Sequence, residues 1–96
     1  MKQFYVYITA NKPQGTLYIG VTSNLPERIG QHRSKAIEGF SKKYETDKLM
    51  WYEIHDNAEA AISREKQLKE WKRDWKKNLI EQDNPHWEDL YETICK

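Results

Sequence analysis

Five side chains in this sequence have types that fit one kind of chemistry: Tyr7, Tyr18, Arg28, Glu65 and Asn78. Two phenols, a guanidinium, one carboxylate and a carboxamide are the wrong kit for a glycosidase, which flanks the scissile bond with two carboxylates. No Ser-His-Asp arrangement is legible, and Cys95, beside the final residue, is a poor nucleophile candidate. The kit does suit cleavage of a phosphodiester. A hard cation such as Mg²⁺ binds through one carboxylate, water and substrate oxygens and acts on the phosphate as a Lewis acid. An arginine offsets the charge that grows in the transition state. A phenol can relay a proton from the attacking water, given cationic neighbours or a metal-bound water, because its ordinary pKa is about 10.

Elements must position these groups. Residues 4–9 and 17–22 form short apolar runs rich in β-branched and aromatic side chains, which predicts two strands. Asn11, Pro13 and Gly15 between them predict the turn of a hairpin. Alternation sends Phe4, Val6 and Ile8 to one face and Tyr5 and Tyr7 to the other. It likewise separates Leu17, Ile19 and Val21 from Tyr18, Gly20 and Thr22. Tyr7 and Tyr18 are therefore expected on a common face, with Gly20 leaving room for a close approach. Asn24 suits an N-cap, and Pro26 and Glu27 suit a first turn, so a helix is predicted over 25–38, ended by Gly39. Leu25, Ile29 and Ala36 can face the core, while Arg28, His32 and Lys35 form a basic stripe at i, i+4 and i+7.

A polar, basic loop with Lys42 and Lys43 follows over 40–48, and residues 49–54 read as a third strand. Asp56 with Glu59 three residues on reads as a capping box for a helix over 57–72 that carries Glu65, Lys66 and Lys69. Its core stripe is expected to be Ala58, Ala61, Ile62, Leu68, Trp71 and Trp75. Trp75, Leu79 and Ile80 continue it or form a third helix to about Gln82, broken at Asp83-Asn84-Pro85. Trp87, Leu90, Tyr91 and Ile94 dock a last helical turn, and the four tryptophans are expected to pack rather than to stack on bases. The order predicts an α+β fold, a small three-stranded antiparallel sheet flanked by helices.

Composition bounds the reading. Residues 1–96 make one domain with room for a modest core. With 32% charged and 38% hydrophobic residues the chain reads as soluble, and no apolar run approaches the ~20 residues of a membrane span. There is no secretory h-region, and a lone cysteine makes no intrachain disulfide, so a cytoplasmic setting is expected. The net charge of +1 is not a nucleic-acid signal by itself, but its distribution is uneven. Cations dominate from Arg64 to Lys77, and acids dominate from Glu81 onward. The bland reading of that helix is a solvated face laced with ion pairs.

Tyr5-Val6-Tyr7, then Tyr18-Ile19-Gly20, then Arg28, His32, Glu65 and Asn78 in order, resemble the GIY-YIG nuclease superfamily. The nearest likeness is to its small stand-alone bacterial members, akin to the catalytic domain of the excinuclease subunit that incises damaged DNA. The likeness covers nearly the whole chain and is most specific from Leu17 to His32. Tyr5 stands where the first motif has glycine, and Val6 where it has isoleucine; neither change removes a catalytic side chain. The resemblance implies Tyr18 as general base or proton relay, Tyr7 positioning water or phosphate, and Arg28 on the scissile phosphate. It further implies Glu65 holding one Mg²⁺ or Mn²⁺, His32 assisting phosphate or proton transfer, and Asn78 bracing the site.

The expected activity is metal-dependent hydrolysis of DNA, in branched, damaged or single-stranded form, with RNA not excluded as a substrate. Lys35, Lys42, Lys43, Lys66 and Lys69 are the expected backbone contacts. No separate DNA-binding domain is legible, so specificity is expected to come from a protein partner or from oligomerisation. The competing class is a binding module of the same fold that does not turn over.

Overall fold

The computed structural model describes residues 2–34 and 43–95. The strands are β1 (Phe4–Ala10), β2 (Leu17–Thr22) and β3 (Lys48–His55). The helices are α1 (Leu25–Arg33), α2 (Ala58–Glu70), α3 (Arg73–Asp83) and α4 (Tyr91–Ile94). The expected extension of the first helix to Glu38, with Ala36, Gly39, Lys35 and Lys42, falls beyond α1, whose C-cap is Ser34, and outside the described residues.

The sheet order is β2-β1-β3, antiparallel throughout, so β1 is central and the other two are edges. Alternation along β1 sorts the core into two sides. Val6, Ile8 and Ala10 join Ile19, Met50, Trp51, Ala61, Leu68, Ile80 and Trp87 beneath α2 and α3. Tyr7 joins Leu25, Ile29 and Leu49, with Tyr5, Tyr18, Tyr52 and Tyr91 packed around them, beneath α1 and α4. One side is thus aliphatic and the other is built of tyrosines, as the alternation predicts. Burying a side chain the size of Ile8 or Leu68 contributes about 1.5–3 kcal/mol, and both are fully inaccessible.

Beta3 carries an irregularity. Ile8 pairs with Trp51 but Thr9 pairs with Leu49, which leaves Met50 as an extra residue. Such a bulge lets two consecutive side chains share a face. Met50 and Trp51 accordingly both enter the aliphatic core, while Leu49 and Tyr52 face the tyrosines.

Caps set the helix ends. Asn24 Oδ1 accepts from the Glu27 amide at 3.2 Å, and Pro26 occupies the first turn of α1. The next cap is Asn57, not Asp56: its Oδ1 accepts from the Ala60 amide at 2.8 Å. Alpha2 stops at Glu70 because Trp71 and Lys72 turn extended, with ψ of 149° and 150°. The helical phase restarts at Arg73, so the stripe expected to run on to Trp75 does not. Trp75 is 53% exposed, and Ile62 lies outside the Ala61–Leu68 line at 42%. Arg73 ties the hairpin turn to α3, donating to the carbonyls of Gln14 (2.8 Å) and Gly15. No helix among the described residues is long and apolar enough to cross a membrane.

Candidate active site

Beta1 and β2 bring the two tyrosines together. Tyr7 pairs with Gly20 and Thr9 with Tyr18, so Tyr7 and Tyr18 are diagonal neighbours with ring centroids 6.3 Å apart. A Cβ at position 20 would run into the Tyr7 ring and hydroxyl. Tyr7 is fully buried and has nowhere to swing, which explains the glycine.

Alpha1 supplies the next two groups. His32, 3% exposed, lies with its ring centroid 5.5 Å from Tyr7 and 5.2 Å from Tyr18, edge-on to both. Its Nε2 is 2.9 Å from the Tyr7 hydroxyl. Arg28, one turn earlier on α1, acts on the Tyr7 phenol by its charge.

Burial, then the Tyr18 phenol, push the Tyr7 pKa well above its ordinary value; Arg28 pulls it down less strongly, and Glu65 adds to the rise. Burial, then the Arg28 charge, lower His32 from 6.5 to about 4, against a smaller opposing pull from Asp47. Near neutrality Tyr7 is therefore protonated and His32 neutral.

Glu65 lies between Ala61 and Leu68, the buried positions of α2. Its side chain is 16% exposed, whereas Glu59 and Glu70 on the same helix are exposed. Lys69 Nζ stands 3.5 Å from Glu65 Oε2. Lys69 and Lys76 also line a cleft of about 290 Å³ along the outer edge of β2 with Leu17, Tyr18 and Ile19. A second, polar cleft of about 380 Å³ holds Arg28 beside Lys2, Thr22, Asn24, Glu27 and Gln31.

The remaining sequence-derived candidates fall elsewhere. Lys66 and Lys43 are exposed, with Lys43 Nζ 5.4 Å above the Tyr44 ring. Asn78 is exposed on α3 and lines a groove with Trp71, Trp75, Leu79 and Gln82. Asn84 braces the fold. It is 5% exposed, and its Nδ2 donates to the Met50 and Glu88 carbonyls at 3.1 and 2.8 Å.

Residues 3–78 match the family of the GIY-YIG catalytic domain. The chain belongs to that family. GIY-YIG proteins are a nuclease family, act on nucleic acid and in general use divalent metals. A UPF0213 protein of Syntrophus aciditrophicus is 36% identical over 86 residues, covering 88% of this chain and 97% of that one. One of Clostridium perfringens is 36% identical over 76 residues, covering 79% and 81%. The solution NMR structure of a UPF0213 protein from Bacillus halodurans shares the fold, with a TM-score of 0.56, 24% identity and coverage of 92% and 93%.

The donor set of this GIY-YIG protein fits a hydrated hard cation. Glu65 is a half-buried carboxylate with a loosely held lysine, and one carboxylate plus water and substrate oxygens is how Mg²⁺ usually binds. No group of three or more His, Cys, Asp or Glu side chains gathers among the described residues, so a full protein cage does not fit. Sequence reasoning passed over Thr9, which pairs with Tyr18 on the tyrosine side. Its fully buried hydroxyl has no hydrogen-bond partner among the described residues. The cue was available in the alternation that places Tyr7 there.

Proposed function

We propose that this GIY-YIG protein is a divalent-metal-dependent endonuclease that hydrolyses DNA phosphodiesters. The observation that carries the reading is the convergence of Tyr7, Tyr18, Arg28 and His32 on one side of the hairpin, with Glu65 the carboxylate whose charge reaches Tyr7. Glu65 would hold Mg²⁺ or Mn²⁺. When bound, the cation supplies Lewis-acid polarisation of a phosphate oxygen. Arg28 offsets charge on the phosphate. Tyr18 lines the cleft with Lys69 and Lys76 and would take the proton from the attacking water. Tyr7 stays protonated, held beside His32, and takes no proton itself. His32 is neutral, so its part is to orient Tyr7 rather than to bind phosphate by charge.

The test incubates the protein with supercoiled plasmid, a branched DNA and a single-stranded DNA, in Mg²⁺, Mn²⁺ or EDTA. Cleavage should require the metal and fall roughly 100-fold or more in Glu65→Ala. Cleavage that survives in Glu65→Ala would remove the carboxylate from its role. Salt-sensitive binding with no cleavage of any substrate would assign the fold to binding without turnover.

A further inference from the structure

Trp75 is the most exposed large apolar side chain among the described residues, at 53%. It lines an open groove of about 190 Å³ with Trp71, Asn78, Leu79 and Gln82. Trp71 meets Trp75 edge-on at 82°, with centroids 6.0 Å apart. Arg64 caps the Trp71 ring at 5.2 Å. Trp71 thus braces Trp75 from one side, and Lys72 Nζ lies over the Trp75 ring, 6.0 Å from its centroid.

We propose that this groove is a stacking subsite for one unpaired base of the nucleic acid. Four observations converge. The volume is below the roughly 300–1,000 Å³ of a small-molecule pocket, which suits one flat heteroaromatic ring. Asn78 and Gln82 each offer both donors and an acceptor, so they can meet the edge of any base. From Lys69 to Lys77, Lys69, Lys72, Arg73, Lys76 and Lys77 outnumber Glu70 and Asp74, which complements a polyanion. Lysine is also depleted from the cores of protein–protein interfaces, so the surround favours nucleic acid over a protein partner. The fourth is continuity: Lys76, the residue after Trp75, lines the cleft that contains Tyr18. A strand with its phosphates along Lys69 and Lys76 carries a neighbouring base to Trp75. A duplex hides its base faces, so the feature recognised is an unpaired nucleotide.

The proposal takes the ligand class from the nuclease reading, and its test does not require turnover. Fluorescence anisotropy in EDTA would compare a labelled oligothymidylate, an abasic strand of equal length and a duplex. Stacking on an aromatic is worth about 1–3 kcal/mol per base, so Trp75→Ala should weaken oligothymidylate binding roughly 5- to 150-fold. Abasic-strand binding should be little changed, and Trp75→Phe should keep most of the affinity. Trp75 is exposed, so the variants should melt like wild type. Equal binding by Trp75→Ala, or equal affinity for abasic and base-bearing strands, would overturn the subsite. Absence of all nucleic-acid binding would overturn both it and the nuclease reading. Trp75-dependent binding without metal-dependent cleavage would defeat the nuclease reading alone.

Discussion

His32 is held neutral against the Tyr7 hydroxyl, and this makes stability depend on pH. Its folded pKa is about 4 against an ordinary 6.5, so between these values the unfolded chain binds the extra proton more readily. The stabilisation is therefore complete above about pH 6.5 and is lost as pH falls towards 4. The side chain is 3% exposed, and the difference converts to roughly 2–4 kcal/mol. Urea midpoints measured from pH 4 to 7 should fall more steeply for wild type than for His32→Gln. The glutamine can still hydrogen-bond Tyr7 and has no proton to gain. Parallel curves would mean that His32 is not the titrating group. The partnership is legible in part in the sequence. Strand alternation put Tyr7 and Tyr18 on one face, and a four-residue helical spacing put Arg28 and His32 on another. Which of the four stays neutral depends on burial, which residue spacing does not carry.

At the scale of elements, Asn84 joins the end of α3 to β3 and to the C-terminal turn. Besides its two donated bonds, its Oδ1 accepts from the Glu88 amide at 2.9 Å. Asn84→Ala should cost roughly 2–4 kcal/mol, because buried partners are left unpaired. Its melting temperature should drop by about 10 °C or more. Asn78→Ala, on an exposed position, should stay within about 0.5 kcal/mol of wild type. A reversed order in thermal melts would contradict these structural assignments. The contrast also shows where sequence reading stops. Asp83-Asn84-Pro85 reads locally as a helix breaker, and it is one, but the Met50 carbonyl that Asn84 binds is far along the chain. The bulge at Met50 is equally silent, since one extra residue in a pairing has no periodic signature. Trp75 was assigned to the core by extending the α2 stripe across a break at Trp71 and Lys72 that no proline or glycine announces. What local pattern governs, such as the three strands and the Asn24 cap, was readable.

Across the whole molecule, charge is divided rather than absent. The net is +1, yet several acids are engaged in holding the chain's last part. Asp89 accepts from Arg33 at 2.7 Å and from the Leu49 amide at 3.1 Å, and Glu81 accepts from Trp87 Nε1 at 2.8 Å. Lys69 and Lys76 instead line the cleft beside Tyr18. A polyanion therefore meets a local positive field that the net charge conceals. Each phosphate neutralised releases condensed counterions, and the slope of log K against log salt counts them at about 0.7 per contact for single strands and 0.9 for duplex. Binding measured in EDTA across a salt series should give a slope of a few units. Lys76→Gln should lower that slope by close to one contact and weaken all sequences alike. Lys12→Gln, on the exposed hairpin turn, should leave it unchanged. If Lys76→Gln keeps the full slope while Lys12→Gln reduces it, the phosphate path runs over the hairpin turn and not along the β2 edge, and the cleft loses its claim to the substrate.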